Sequence, residues 1–418
     1  MLALFVIAMI PRTAWIAYND RAPKGLNDPV QYNFLSDALA DGDGYVRFTG
    51  ERTAYYPVGY PAALAALKTA GDFFGWGRST FSVKMMNGVL GALTVLMIYL
   101  LASRLFDRRV GIGAGLLLSF FPSQVYYAGT VLSEALFTFL LVAALLVLLW
   151  HPWDREGMSW QRLFAFGVIL SAATMTRGIT LALPLLLLVI WLFYLRSKQR
   201  AVVQTLVVFA GIAVLTVPWS VRNTLAFHQL TGASTNLGDD LCIGNFYGAT
   251  GRFLLYGKCF EGYDNLSPVQ VELQRNRDGV RTAIEDVIHH PVRMPQLIGN
   301  KAYWLLYNDD DGLWAAESYG NDWFISHPLR EILAFAANGI YYAAGLIGIL
   351  GAVAFALSRD IRRSVLLASM LYVLAIPLVF FGDPRFHFPA IPILVIVVAA
   401  TVVGVWDRRH RALLELRS

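Results

Sequence analysis

The chain has 418 residues, 56% of them apolar and only 15% charged, with a formal net charge of +5 and a mean hydropathy of +0.52. An ordinary globular protein carries about 25% charged residues, so this chain lacks the polar surface to coat a soluble particle of its size, and the disordered, collagen-like and disulfide-scaffold classes fail with it. The positive balance does not indicate nucleic acid, because the basic residues lie in short loops between charge-free runs such as 163–176 and 202–217. The class is an all-α polytopic membrane protein.

In chain order, ten apolar stretches read as membrane spans: 1–17, 83–102, 110–127, 132–150, 162–176, 178–195, 202–219, 331–357, 364–381 and 388–405. Each approaches the roughly 20 residues that cross the hydrocarbon as a helix. The first has no basic start and no small-residue cleavage site, so it reads as a span rather than a cleaved signal. The fifth and sixth are separated only by Arg177-Gly178, which predicts a tight helical hairpin. The loops at 103–110, 151–162, 196–200, 358–363 and 406–418 are short and hold nearly half of the 34 Lys and Arg residues. The positive-inside rule places these loops and both termini in the cytoplasm. Two large segments, 18–82 and 220–330, then face outward from a single membrane domain spanning 1–418.

Within the first outer segment, 29–40 predicts a short helix with Tyr32, Leu35 and Leu39 on one face, suited to the membrane interface. In the second, 281–297 predicts a helix interrupted at Pro291, and the Gly-, Asn- and Thr-rich stretch 232–251 predicts a loop or short strand. Cys242 and Cys259 both fall in this segment. They form a disulfide or remain two thiols; two cysteines do not reveal their own pairing. His289 and His290 are adjacent rather than spaced to share a helix face, so no metal site is expected. The run Asp309-Asp310-Asp311 reads as a solvated patch rather than a cation site. There is no phosphate-cradling Walker loop, no Gly-x-Ser-x-Gly elbow and no soluble nucleotide-sugar domain. An activated substrate should therefore not come from a cytoplasmic nucleotide, and no cofactor is expected.

Several motifs recur in an order that matches this topology. The first outer segment carries Asn27-Asp28-Pro29-Val30-Gln31-Tyr32, then Ala38-Leu39-Ala40-Asp41-Gly42-Asp43-Gly44-Tyr45, then Tyr56-Pro57-Val58-Gly59-Tyr60-Pro61. Further on come Asn87-Gly88, Ser133-Glu134-Ala135-Leu136-Phe137, Thr176-Arg177-Gly178, Pro218-Trp219-Ser220-Val221-Arg222-Asn223, Ser234-Thr235-Asn236, Ile243-Gly244-Asn245 and Asp383-Pro384-Arg385-Phe386-His387-Phe388-Pro389. Together they resemble the GT-C superfamily of membrane glycosyltransferases, in its bacterial branch related to protein O-mannosyltransferases and the aminoarabinose transferase ArnT. Gly178 stands where that family has Pro, and Phe386 where it has Tyr.

The resemblance implies the GT-C fold and transfer of a monosaccharide, hexosyl or pentosyl, from a polyprenyl-phosphate carrier to a lipid, glycan or protein acceptor at the outer membrane face. It also implies a bacterial inner membrane. Such a donor brings its own leaving group, so it needs cations for the phosphate and one base for the acceptor hydroxyl. Asp28 matches the family's catalytic acid position, although an Asp before Pro29 is also an ordinary turn residue. Asp37, Asp41 and Asp43 are the alternatives; the last two sit among glycines as turn residues. Arg177, Arg222 and Arg385 lie at outer span ends and are the phosphate-binding candidates, with Lys84 and His387 behind them; snorkelling is the structural alternative, for these as for Arg12. Glu134, an acid at the outer end of an apolar span, either fixes a cation or touches the acceptor. Among the outer aromatics, Tyr32, Tyr56 and Tyr60 are the site-lining candidates; Tyr55, Trp304, Trp314 and Trp323 read as an interfacial belt. The rival readings are a glycan ligase using a polyprenyl-diphosphate carrier and a lipid or sugar transporter. A transporter would be expected to carry related halves or polar span centres.

Overall fold

The computed structural model describes residues 1–415. Among them the regular elements are helices, and the β pairing consists of two isolated bridges, Val46 with Arg52 and Arg252 with Gly382. In chain order the helices are α1 (Leu2–Tyr18), α2 (Asp28–Asp41), α3 (Gly59–Phe74), α4 (Thr80–Leu105), α5 (Arg108–Ser119), α6 (Pro122–Tyr126), α7 (Glu134–Leu149), α8 (Trp160–Thr176), α9 (Leu183–Tyr194) and α10 (Lys198–Phe227). The second long loop then holds α11 (Leu237–Asn245), α12 (Gly257–Phe260), α13 (Pro268–His289), α14 (Met294–Leu306) and α15 (Asp311–Ala316), followed by α16 (His327–Ala356), α17 (Ile361–Ala375) and α18 (Ile391–Glu415).

All ten apolar stretches fall on helices. Among the described residues five segments are long and apolar enough to cross a bilayer: Thr80–Leu105, Lys198–Phe227, His327–Ala356, Ile361–Val379 and Pro384–Asp407. Leu2–Tyr18, Glu134–Leu149 and Gly178–Tyr194 are apolar but shorter. A helix of 17 residues such as α1 is about 26 Å long, slightly under the roughly 30 Å of hydrocarbon. The chain is an integral membrane protein.

The stretch 110–127 departs from prediction, because it breaks between α5 and α6. Pro122 holds Phe121 in an extended conformation (φ −66°, ψ 119°), which ends the preceding helix. The carbonyls freed at the end of α5 then need donors. Arg12, fully buried in α1, supplies them: its guanidinium donates to the carbonyls of Ser119 (3.0 Å), Leu118 (3.4 Å) and Ala8 (2.8 Å). Arg12 is therefore an internal helix cap and does not snorkel. Elsewhere in the bundle small residues let backbones approach. A Cβ on Gly211 of α10 would lie 2.6 Å from the Phe164 carbonyl and 2.8 Å from Gly167 of α8.

Two loop-segment expectations change. The stretch 232–251 carries α11, whose first turn holds Asp239 and Asp240, the charge that a helix N-terminus favours. Its Gly238 serves close packing: a Cβ there would collide with the Asn276 backbone of α13. The helix predicted at 281–297 starts earlier, at Pro268, behind a capping box in which Ser267 and Gln270 satisfy each other's backbone N–H. Pro291 does interrupt it, and α14 continues to Leu306. Cys242 of α11 and Cys259 of α12 are disulfide-bonded, with Cα atoms 5.9 Å apart.

Candidate functional site

The site forms where the loop segments meet one end of the bundle. Asp28 is the first residue of α2, set in place by the Asn27 N-cap and Pro29 in the first turn. Asn27 is held in turn, donating to the carbonyls of Lys24 and Ser318, both at 2.9 Å. The Asp28 carboxylate accepts a hydrogen bond from the Tyr56 hydroxyl (2.8 Å) and pairs with Arg385 Nη1 (2.9 Å).

Arg385 sits on the turn Pro384–Phe386, which Asp383 caps by accepting from the Arg385 backbone N–H at 3.0 Å. Its guanidinium is shared. Nη1 also donates to the Tyr319 hydroxyl (3.3 Å), and Nε lies 2.9 Å from Glu134 Oε1. Arg177, in the extended residue after α8, brings a second guanidinium to the same carboxylate: Nη2 donates to Glu134 Oε1 at 2.5 Å and Nε to Ser133 Oγ at 3.1 Å. Glu134 opens α7 and its side chain is only 1% exposed, so it is an internal clamp for two cations. The Phe386 ring lies beside both, with centroids 5.7 Å from Arg177 and 5.8 Å from Arg385.

Tyr32, Tyr56 and Tyr60 form the aromatic wall. The Tyr32 ring packs against Tyr56 (5.0 Å) and edge-on against Tyr60 (5.3 Å). Burial, with the nearby Asp28 charge, pushes the Tyr32 hydroxyl well above its ordinary range, so it stays a neutral donor. Tyr60 lies one layer behind, within hydrogen-bond distance of Asn87.

Three other sequence candidates are turned to different partners. Arg222 donates to the carbonyls of Thr53 (2.9 Å) and Tyr45 (3.1 Å) and lies over the Trp219 ring, clamping the first loop segment onto α10. Lys84 is buried and donates to the carbonyls of Asn19 and Arg21. His387 sits between the Leu305 carbonyl (2.7 Å) and Asp309 (2.8 Å), with its ring stacked on Tyr341. In each case nearby acceptors had to be satisfied inside the fold, and the side chain serves that need. The alternative carboxylates Asp37 and Asp41 pair with Lys68 and Arg78.

The aspartate run is not a solvated patch. Asp309 is buried against His387, Asp310 accepts from Asn308, and Asp311 is half-buried and accepts from the Tyr127 hydroxyl at 2.7 Å. Among the described residues no group of three or more His, Cys, Asp or Glu is placed to hold a metal ion.

Four residues that sequence reasoning did not assign to the site belong to this neighbourhood. Burial raises the Asp311 carboxyl to about 7, helped by the nearby Asp383 charge, and burial likewise pushes Asp383 up. Asp240, in the first turn of α11, is raised to about 8 by burial and by the charges of Asp239 and Asp28, against the pull of Arg385 and Arg177. Tyr319 reaches Arg385 from the far end of the second loop segment. Asp383 lay inside a motif already noted, and Asp311 in the aspartate run read as solvated; nothing local in the sequence marked Asp240 or Tyr319.

Comparison with known proteins agrees with this geometry at the level of fold. The sequence model of the dolichyl-phosphate-mannose-protein mannosyltransferase family matches residues 64–221. Among curated proteins none matches the chain. The apo structure of the Archaeoglobus fulgidus oligosaccharyltransferase superposes with a TM-score of 0.56 at 15% identity, covering 100% of this chain and 52% of that one. The archaeal oligosaccharyltransferase AglB from Archaeoglobus fulgidus, in complex with an inhibitory peptide and a dolichol-phosphate, gives 0.54 at 16% identity over 99% and 51%. ArnT from Cupriavidus metallidurans bound to undecaprenyl phosphate gives 0.46 at 16% identity over 96% and 77%. The chain thus spans about half the length of the archaeal enzyme whose fold it shares.

Proposed function

We propose that this chain, a GT-C superfamily protein related to the protein mannosyltransferases, is an inverting glycosyltransferase. It would move a monosaccharide from a polyprenyl-phosphate carrier to an acceptor at the outer membrane face. The observation that carries the reading is the meeting of Asp28 with Arg385 and Arg177, two guanidiniums that share Glu134. Arg385 meets its partners through Nη1 and Nε, and Arg177 through Nη2 and Nε. Arg385 Nη2 and Arg177 Nη1 have no protein acceptor among the described residues, and they remain available to phosphate oxygens. Guanidinium suits this task because its planar fork meets two oxygens at once.

In the reaction an acceptor hydroxyl attacks the anomeric carbon from the face opposite the phosphate. The new carbon–oxygen bond forms as the bond to the phosphate oxygen breaks, and polyprenyl phosphate leaves with the electron pair. The hydroxyl proton goes to the Asp28 carboxylate. One base suffices because the leaving group departs as an anion, held by Arg385 and Arg177. Tyr56 orients Asp28 throughout. Asp28 is tied to Arg385, and an arriving phosphate competes for that same cation. The carboxylate would thereby be released to act as base as the donor settles.

Two observations support the setting. The Cys242–Cys259 disulfide lies in the loop segment that positive-inside reasoning puts outside, where thiols oxidise. The archaeal protein sharing the fold is described in complex with a dolichol-phosphate, a carrier of the same chemical class. The test uses purified protein in lipid nanodiscs, a panel of polyprenyl-phosphate sugars and membrane extract as acceptor source, with sugar transfer followed by mass spectrometry. Turnover with one donor, lost in Asp28→Asn while carrier binding persists, is the expected result. Undiminished turnover in Asp28→Asn rejects the base. Absence of both turnover and carrier binding rejects the carrier and favours the transporter or diphosphate-ligase reading.

A further inference from the structure

The turn that delivers Tyr319 is built in a way its sequence does not favour. Ser318 and Tyr319 are consecutive non-glycine residues with φ of 52° and 55°, and Gly320 follows at 87°. Left-handed backbone at such residues is strained and persists only where the surroundings over-determine it. Here they do. The Ser318 carbonyl accepts from Asn27 (2.9 Å) and Asn321 (2.8 Å), and its hydroxyl accepts from the Lys24 backbone N–H at 3.1 Å. Asp322 pairs with Arg21 (2.6 Å) and Lys24 (2.7 Å). Glu317, wholly buried, pairs with Arg330 and accepts from the Ile325 backbone N–H at 3.0 Å. Most of these ties run to residues 21–27, the stretch that leads directly into Asp28. The turn is bolted to the base's own anchor.

What the strain holds in place is one side chain. The Tyr319 ring packs against the cluster of Tyr32, Tyr60 and Tyr127, and its hydroxyl meets Arg385 Nη1 at 3.3 Å, beside the Asp28 carboxylate on the same nitrogen. The two partners of that nitrogen differ in kind. On the proposed reaction Asp28 gives up Arg385 to the arriving phosphate and then takes the acceptor proton, so its grip on Arg385 is lost. The Tyr319 hydroxyl is neutral, is fixed by its own backbone, and undergoes no change.

We infer that Tyr319 is a positioning residue for the leaving phosphate, keeping Arg385 aimed at it while Asp28 is occupied with the proton. The inference rests on the glycosyl-transfer reading above. It predicts a role that acts through Arg385 and vanishes without it.

A double-mutant cycle tests this, with undecaprenyl phosphate as the probe and full-length protein in nanodiscs of phosphatidylethanolamine and phosphatidylglycerol. Carrier binding is measured by native mass spectrometry for wild type, Tyr319→Phe, Arg385→Gln and the double variant, with unfolding temperature recorded for each. Tyr319→Phe keeps the ring and removes one hydrogen bond, so binding should weaken about 3- to 10-fold at an unchanged unfolding temperature. In the Arg385→Gln background the same change should cost nothing further. In turnover, the Tyr319→Phe loss should appear in the KM for the donor before it appears in kcat. Equal weakening in both backgrounds would mark a packing role and overturn the inference, as would unaltered binding in Tyr319→Phe. Arg385→Gln binding as well as wild type overturns the phosphate reading itself, and the inference falls with it.

Discussion

The helical bundle and the loop layer at its end are held together by different forces. In the bundle one continuous apolar cluster runs from Ala8 through Phe166 and Trp191 to Ala399. In the loop layer the apolar clusters are small and rich in tyrosine, and between them lie buried charges: Glu134, Glu272, Glu317, Asp309 and Lys301. Apolar contact is non-directional, so the bundle tolerates changes that conserve volume. Buried ion pairs and hydrogen bonds are directional and costly to leave half-made, so the loop layer fixes positions more strictly than it adds stability. The proposed chemistry sits on the strict side of that boundary.

Five experiments would break or sharpen this contrast. The largest effect is expected at Glu134, which belongs to both regions. Glu134→Ala leaves two guanidiniums without their shared partner, costing about 3–5 kcal/mol, and thermal unfolding together with a turnover assay should record loss of stability and activity at once. Asp28→Asn should separate the two: the rate falls about 10²- to 10⁴-fold, the usual share of a general base, at an unaltered unfolding temperature. Phe166→Ala, deep in the bundle, should do the reverse. Stability falls by about 3–5 kcal/mol, while turnover per folded molecule holds.

Next comes the disulfide. Replacing Cys242 and Cys259 with Ser should cost about 3 kcal/mol for a loop of this length, and hydrogen exchange should report loosening in α11 and α12 with the bundle still protected. Uniform loosening would count against two separable regions.

The smallest effect concerns pH. Asp240 has a folded pKa near 8, above the unfolded value of about 3.9. The folded state holds that extra proton between the two values, so stability declines as pH rises through this window and levels off above it. Above pH 8 a further carboxylate charge stands near Arg385 and Arg177, and carrier binding should weaken a few-fold. Asp240→Asn should flatten both trends. An alkaline limb that persists in the variant assigns it elsewhere.

The ten apolar stretches were legible because lipid imposes a length and a composition, and both can be counted along the chain. The break at Phe121 was not, although Pro122 was in plain view, because a proline within an apolar run signals a kink only if a donor covers the freed carbonyls. Arg12, more than 100 residues away in sequence, is that donor. Asp28, Arg177, Glu134 and Arg385 were legible through the motifs that surround them. Arg222 and Lys84 carry the same charge at similar positions, and what separates them is which acceptors the folded loops present. The stretch 232–251 looked like loop because glycine is common in turns, whereas Gly238 and Gly279 serve the close packing of two helices.

The sequence by itself determined a helical membrane protein with two long loop segments and a short set of residues able to handle a phosphate and a proton. The membrane class and the loop segments follow from composition and periodicity, which act locally; the candidate residues follow from the resemblance of their motifs to a known family. Only the tertiary structure decided that Glu134 holds both guanidiniums, that Asp28 is tied to one of them, and that a strained turn from the other loop delivers Tyr319 to the same nitrogen. Directional contacts between residues tens to hundreds of positions apart depend on distance and angle in space, and no local pattern along the chain encodes them.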